Sequence, residues 1–446
     1  MAAVITPAGQ GGIGAIRIAG PRSQEILERL FRPTRSSKLK PFLMRHGHVV
    51  SGSGKVIDET LAVFMPAGRS YTGLDQAEIY CHGGHQVVRT ILDLIIKSGA
   101  RPAEPGEFTK LAFLSGRIDL SKAEAVGELI AASTEASYEA SREHLVGEYS
   151  EYVGSLRERL VSILAEIEAS IDFADDEADT IDPRHLNKTL DEITGRIDQL
   201  VATYEGGRII REGYRVAIGG RPNAGKSSLF NALLKQERAL VDHEAGTTRD
   251  YLSEWVDLDG YAVNLIDTAG VRGEGSQVEK AGQARSRELV AKADLVLWLA
   301  DVTMPDWQDR SAADIRDLEY CDILLVGNKI DLVANSGLVC PDETCLISCL
   351  TRDGLNKLRG LIFEYINDST RNMISGQIVT SARHRNCLEL AGRALEQTKL
   401  AVNNGESSEV LAFEIRRAVE ALAEITGQIY TEDILEEIFS RFCIGK

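Results

Sequence analysis

Gly220-Arg221-Pro222-Asn223-Ala224-Gly225-Lys226-Ser227 decides the fold of this chain. The octapeptide has the form G-x-x-x-x-G-K-S, and its context fits that reading. An apolar run over 214–219 reads as a strand before it, and 228–234 reads as a helix after it. Glycines at these places let backbone N–H groups close around phosphate oxygens at the amino terminus of a helix. In such a cradle Lys226 reaches the β- and γ-phosphates and Ser227 ligates Mg²⁺. Asn223, Ala224, Gly225 and Ser228 complete the phosphate-binding set. A glycine-rich turn that binds nothing is the alternative reading of the octapeptide taken alone.

Two further motifs follow in order. Asp267-Thr268-Ala269-Gly270 closes a second apolar run. There Asp267 would hold Mg²⁺ through water, and the N–H of Gly270 would meet the γ-phosphate. Asn328-Lys329-Ile330-Asp331 closes a third run, over 322–326. The Asp331 carboxylate can accept from N1–H and the exocyclic amine of guanine, whereas adenine offers neither donor there. A site built to hydrogen-bond one group rejects the analogue lacking it. Four letters alone are a weak pattern; third in sequence after the other two, they point to a guanine nucleotide. Between the first two motifs, Gly246-Thr247-Thr248-Arg249-Asp250 is a polar stretch of the kind that orders around a γ-phosphate and releases after hydrolysis. Val271 directly follows Asp-Thr-Ala-Gly, and a valine cannot orient an attacking water.

Outward from this centre, apolar runs over 214–219, 261–266, 294–300, 322–326 and 344–347 alternate with helical stretches. That alternation predicts a mostly parallel sheet with helices on both faces. Residues 1–112 instead hold short apolar runs broken by glycine and proline, the pattern of an α+β domain. No proline lies between Gly106 and Asp182, and Leu156, Leu160, Ile163, Leu164, Ile167 and Ile171 recur at helical steps. Ser121-Lys122-Ala123-Glu124 has the form of a capping box. The acidic run from Asp172 to Asp179 lacks the glycine and ligand spacing of a calcium loop and reads as a solvated connector. After residue 370 the chain is helical again, with apolar stripes over 388–400 and 411–425 that need a partner. Helices within 113–208 are the simplest one, with the α/β segment looped out between. The expected division is 1–112, 113–208, 209–368 and 369–446.

The bulk numbers narrow the function. At 446 residues the chain has room for several cores, and no apolar stretch is long enough for a membrane span. Its start lacks a secretory signal, which points to the cytoplasm. A net charge of −17 argues against broad, unaided attraction to nucleic acid. The seven cysteines show no C-x-x-C pairing; Cys345 falls in an apolar run, so ordinary reduced thiols are the simpler reading than a metal site at Cys340, Cys345 and Cys349.

With Gly-Thr-Thr-Arg-Asp and the closing Phe442-Cys443-Ile444-Gly445-Lys446, the nucleotide motifs resemble the MnmE (TrmE) family of tRNA-modification GTPases. Gly11-Gly12-Ile13-Gly14-Ala15-Ile16-Arg17, His82-Gly83-Gly84-His85, Pro105-Gly106-Glu107-Phe108-Thr109 and Arg117-Ile118-Asp119-Leu120 extend the likeness over nearly the whole chain. The resemblance implies a folate-binding α+β domain, a discontinuous helical domain and an inserted P-loop GTPase domain. It implies a homodimer acting with an FAD-containing, MnmG-like partner on C5 of the wobble uridine of certain tRNAs, with a one-carbon unit from 5-formyl- or methylene-tetrahydrofolate. Folate contacts would be Arg17, Glu78, Arg117 and Lys446. Thr248 would join Ser227 on Mg²⁺, and Asn223, Asp242, Glu244 and Thr247 would surround a K⁺ ion that supplies charge to the transition state. Asp242, Gly246, Thr247, Thr268, Ala269 and the loop Ser348-Cys349-Leu350 would complete the GTP site. Glu279 would orient the hydrolytic water in place of a residue at 271, and Cys443 would take part in the modification. A GTP-controlled switch in ribosome assembly, and a one-carbon transferase with a regulatory GTPase domain, are the readings set against this one.

Overall fold

The computed structural model describes residues 1–35, 39–172, 182–235, 238–239, 252–267, 291–316, 322–333, 344–371 and 377–446. The chain divides into two compact units. One comprises Met1–Gly127, His144–Ser162 and Val419–Lys446; the other comprises Glu128–Glu143 and Ile163–Ala418.

The first unit is built on an antiparallel sheet of β1 (Ala2–Val4), β2 (Gly11–Ala19), β3 (Phe31–Pro33), β4 (Arg45–Val50), β5 (Val56–Met65) and β6 (Gln76–Gly83), in the order β1-β2-β6-β5-β4-β3. Alternate residues face one side. Ile16, Ile18, Ala62, Phe64, Ala77 and Ile79 form a core with Ile26 and Leu27 of α1 (Ser23–Leu30) and Ile91 and Ile95 of α2 (His85–Lys97). The expected mixture of short strands and helices in this region is therefore present. Helix α3 (Glu107–Leu114) is followed by α4 (Leu120–Ala131).

The capping box expected at Ser121 is not formed. Helix α4 starts two residues earlier than that cap implies, and Asp119 caps it, its Oδ1 accepting the Lys122 N–H at 2.8 Å. Ser121 lies inside the helix with a buried hydroxyl. Asp and Ser cap helices about equally well, and a carboxylate adds a favourable interaction with the helix dipole. Phe113, Leu120 and Ala123 pack on Leu435 and Phe439 of the helix Glu432–Ser440.

Helices α5 (Glu135–Val146) and α6 (Glu148–Asp172) come next in the chain. Most of the acidic run after Asp172 lies outside the described residues. In the second unit, α7 (Pro183–Ala202) begins with Asp182, whose Oδ1 accepts the Arg184 N–H at 3.0 Å, and Pro183 sits where no helical N–H is needed. Leu186, Leu190, Ile193, Ile197 and Leu200 form its buried stripe. Helix α8 (Tyr204–Glu212) leads into the nucleotide-type sheet.

That sheet comprises β7 (Tyr214–Gly220), β8 (Arg238–Ala239), β9 (Leu252–Leu258), β10 (Tyr261–Asp267), β11 (Leu295–Asp301), β12 (Asp322–Asn328) and β13 (Cys345–Leu346). Their order is β13-β12-β11-β7-β10-β9-β8, parallel from β13 to β10 and antiparallel for β9 and β8. The five runs expected to form parallel strands all do so, with ends within two residues of the reading. Helices α9 (Lys226–Leu234), α10 (Trp307–Ile315) and α11 (Leu355–Thr370) accompany it. Val216 and Ile218 of β7 lie in one core with Leu229, Leu355, Leu358 and Ile362, while Ala217 lies in a separate cluster with Val296, its neighbour on β11. Burial on both faces is why these strands read as continuous apolar runs. The carboxyl ends of β7, β10 and β12 carry the three motifs, which is where open α/β sheets bind ligands.

Helix α12 (Ala382–Asn404) then lies along α7, which partners the stripe over 388–400, and α13 (Ser408–Thr426) follows. Asn187 donates to Asn403 at 3.0 Å and Lys399 pairs with Asp191 at 2.5 Å. The chain leaves and re-enters this helical layer at one point: Thr203 Oγ1 accepts the Val379 N–H at 3.0 Å, and Gly207 comes so close that a Cβ there would sit 2.2 Å from the Val379 carbonyl oxygen. Among the described residues no helix is long and apolar enough to cross a membrane.

Candidate functional site

Gly220 ends β7 at φ +133°, with the Leu299 carbonyl 2.3 Å from where a Cβ would stand, so a side chain there would force the strands apart. The loop then turns through Asn223, at φ +64°, and Gly225, at φ +103°. Helix α9 starts at Lys226 without a side-chain cap, so its first N–H groups stay available to an anion. Lys226 Nζ donates to the carbonyls of Gly220, at 2.8 Å, and Arg221, at 2.9 Å, which holds the ammonium inside the loop's curve. Arg221 is tied outward by a two-pronged pair with Asp314 of α10, at 2.7 and 2.9 Å.

Ser227 Oγ donates to Asp267 Oδ2 at 2.8 Å, and the Asp267 carboxylate is fully buried. A hydroxyl and a carboxylate side by side at a helix amino terminus are hard oxygen donors of the kind Mg²⁺ takes beside phosphate oxygens. The pair fits that ion. The exposed Asn223 is the described member of the expected K⁺ shell. Asp242, Glu244, Gly246, Thr247, Thr248, Thr268, Ala269, Gly270 and Glu279 lie outside the described residues.

The Asn328–Asp331 motif is bound to the Gly220–Ser227 loop by one side chain. Asn328 Nδ2 donates to the Ala224 carbonyl at 2.8 Å, and Asn328 Oδ1 accepts the Cys349 N–H at 3.1 Å. The amide thus joins the P-loop to the Ser348-Cys349-Leu350 loop across more than a hundred residues of sequence. Ser348 Oγ donates to Asp331 Oδ1 at 2.5 Å, orienting the carboxylate and leaving its other oxygen unengaged by that bond. Leu350 is 83% exposed and makes an apolar rim. Burial, reinforced by the negative charge of Asp331, pushes the Cys349 thiol up to about 11, so it stays a thiol at neutral pH.

In the sequence Lys329 stands out only as part of the motif; the structure pairs its Nζ with Asp301 Oδ2 at 2.5 Å. Sequence reasoning misses Asp301, as it does the half-buried pair Arg208–Asp294, at 2.7 Å, in which Asp294 also accepts the Arg215 N–H at 2.8 Å. The signal for both is an acidic residue ending or opening an apolar run, which has meaning only once the strands are aligned.

In the first unit, Arg17 Nε meets Glu78 Oε1 at 2.8 Å, in register on β2 and β6. Gln76 and Tyr80 also donate to Glu78, and burial together with that bond pushes the Tyr80 phenol up to about 12. The Arg17 guanidinium lies over the rings of Tyr71, at 5.2 Å, and Phe108, at 5.4 Å. The Phe108 N–H donates to the Lys446 carbonyl at 3.0 Å, and Ile444 bridges to Pro105. Arg17, Glu78 and the Lys446 backbone therefore gather around Phe108. Arg117 is placed past the other end of α3, donating to the Gly68 carbonyl at 3.1 Å. It lines a cavity of about 490 Å³ with Lys122 and Tyr430. Cys443 is exposed.

Comparison with known proteins gives two family matches: the MnmE helical domain over residues 120–443, and the GTP-binding protein TrmE N-terminus over residues 1–117. A protein described as tRNA modification GTPase MnmE from Carboxydothermus hydrogenoformans is 40% identical over 460 residues, covering 100% of this chain and 99% of the relative. Proteins of the same description from Roseiflexus sp., 41% identical over 460 residues, and from Aquifex aeolicus, 38% identical over 450, have the same coverage of both chains.

Proposed function

The chain belongs to the MnmE family of tRNA modification GTPases, and we propose that its GTP hydrolysis, in the site around Lys226 and Asp331, drives modification of C5 of the wobble uridine in certain tRNAs. The observation that carries the nucleotide half is the Asn328 amide, which bonds the phosphate loop and the base loop at once. That arrangement sets the distance between a triphosphate and a guanine, so both ends of one GTP are met together.

In this reading Lys226 and the α9 amino terminus hold the phosphates, with Asn223, Ala224, Gly225 and Ser228 as backbone partners. Ser227 and Thr248 would hold Mg²⁺, with Asp267 holding it through water, and the ion would supply positive charge to the phosphates. Asn223, Asp242, Glu244 and Thr247 hold K⁺, and Glu279 orients water. Thr268, Ala269, Gly270, Gly246, Lys329, Ser348, Cys349 and Leu350 complete the enclosure. A tetrahydrofolate derivative binds at Arg17, Glu78, Arg117 and Lys446. The Arg17–Glu78 pair, with a buried carboxylate and a half-buried guanidinium over two aromatic rings, supports that assignment, because a pterin offers a flat face and paired donors. Cys443 and an FAD-containing, MnmG-like partner take part in the modification. The protein acts in the cytoplasm as a homodimer, organised as 1–112, 113–208, 209–368 and 369–446.

Mass spectrometry of tRNA nucleosides from cells lacking this chain is expected to show wobble uridines without their C5 group. Intact modification would favour the ribosome-assembly reading instead. The K⁺ assignment has its own check. Hydrolysis measured by phosphate release should be at least about 10-fold faster in KCl than in NaCl at equal ionic strength, since a fixed cation at the developing charge is worth that much or more. Equal rates would remove the K⁺ site and the role of Asn223.

A further inference from the structure

Lys329 stands at φ +71°, a backbone conformation that residues with a side chain rarely take. Such a conformation persists where the surroundings over-determine it. Asp301 ends β11 directly across from Asn328 in the parallel register, and the Val302 N–H donates to the Asn328 carbonyl at 3.1 Å. The two strand ends are therefore locked side by side. Asp301 Oδ2 accepts from Lys329 Nζ at 2.5 Å, while its Oδ1 accepts the Thr303 N–H at 3.1 Å and the Thr303 hydroxyl at 2.7 Å. One carboxylate oxygen is thus fixed by the turn after β11, which leaves the other aimed at the lysine.

We propose that Asp301 is a positioning residue of the guanine site: by anchoring the Lys329 ammonium it holds the turn that presents the Asp331 carboxylate to the base. The assignment rests on the guanine reading of Asn328-Lys329-Ile330-Asp331. Lys329 and Asp331 flank a single residue, so a lysine pulled toward β11 fixes the direction of the short helical turn Ile330–Leu332 that carries Asp331. Burial raises the Asp301 carboxyl, but the bonds from Lys329 and Thr303 outweigh it and hold the group below the usual carboxylate range. It therefore remains an anion at neutral pH. The bonds of Asp301 run to Lys329 and Thr303, while the tie to the phosphate loop is the separate Asn328 amide, so the effect falls on the base more than on the triphosphate.

That separation defines the experiment. In the full chain, Asp301→Asn keeps the shape and the acceptor for Thr303 while removing the charge that holds Lys329. Displacement of a fluorescent GDP by GDP and by pyrophosphate reads the base and phosphate sites apart, alongside KM and kcat for GTP. GDP should bind about 10-fold more weakly, as expected for losing the charge on one hydrogen-bonded partner. Pyrophosphate should be unchanged, and KM for GTP should rise by the same factor with kcat within about 2-fold. Thr303→Val should move GDP by about 2- to 3-fold in the same direction, and it decides the matter if Asp301→Asn does not fold. Unchanged GDP affinity, or equal losses for GDP and pyrophosphate, would overturn the proposal. A wild-type chain that binds GDP no more tightly than pyrophosphate would instead remove the guanine site itself.

Discussion

Asp331→Asn is expected to weaken GTP binding by about 10³-fold and to bring XTP to within reach of the affinity GTP has now. The guanine edge presents two donors to this carboxylate, and hydrogen bonds to a charged partner are worth about 1.5–3 kcal/mol each. An asparagine can turn one acceptor toward them, but its amide N–H₂ then faces a guanine donor, and a donor against a donor is left unpaired. Xanthine carries a carbonyl where guanine carries the amine, so the same N–H₂ finds an acceptor. The structure adds a reason for a clean outcome. Ser348 Oγ donates to Asp331 Oδ1, and an asparagine oxygen can accept that bond equally well, which leaves the exchanged group pointing at the base. Titration with GTP and XTP by calorimetry would read both changes. Unchanged GTP affinity would show that Asp331 does not contact the base.

Lys226→Ala should lower kcat/KM for GTP by about 10³-fold, the scale of removing a preorganised donor from charge that develops in a transition state. The Lys226 ammonium bonds two carbonyls of its own loop, those of Gly220 and Arg221. Those same contacts place the charge in the centre of the loop's curve, so turning it onto a phosphate requires only a change of side-chain rotamer. Lys226→Arg should fail to restore the rate, because a planar fork cannot replace a compact point charge in so tight a curve. Phosphate release measured over a range of GTP concentrations at saturating Mg²⁺, to give kcat/KM, with thermal melting to confirm folding, is the measurement. A variant within about 10-fold of wild type would take Lys226 out of the phosphate site.

The parts of this site that are contiguous in the chain are legible in the amino-acid sequence alone. The phosphate loop and the Asn328–Asp331 turn each act through neighbours in sequence, and the parallel strands announce themselves because both of their faces are buried. What depends on register is not legible there. Asp301 and Lys329 are 28 residues apart and meet only when β11 and β12 align. Arg17 and Glu78, 61 residues apart, are singled out by family likeness, and their pairing follows from the antiparallel β2–β6 register. The capping box at Ser121 misleads because Asp119, two residues earlier, offers a better acceptor to the same helix end. Arg117 is grouped with Arg17 on likeness alone, and the fold sets the two at opposite ends of α3.

The bond between Thr203 and Val379 has a further consequence. Everything between those two residues departs from and returns to a single point, like a loop of rope held in one hand. The entropy of closing such a loop grows only with the logarithm of its length, about 0.6 kcal/mol per doubling. On that scaling, the segment beyond that point could be lengthened or trimmed with little thermodynamic effect on the helices that grip it.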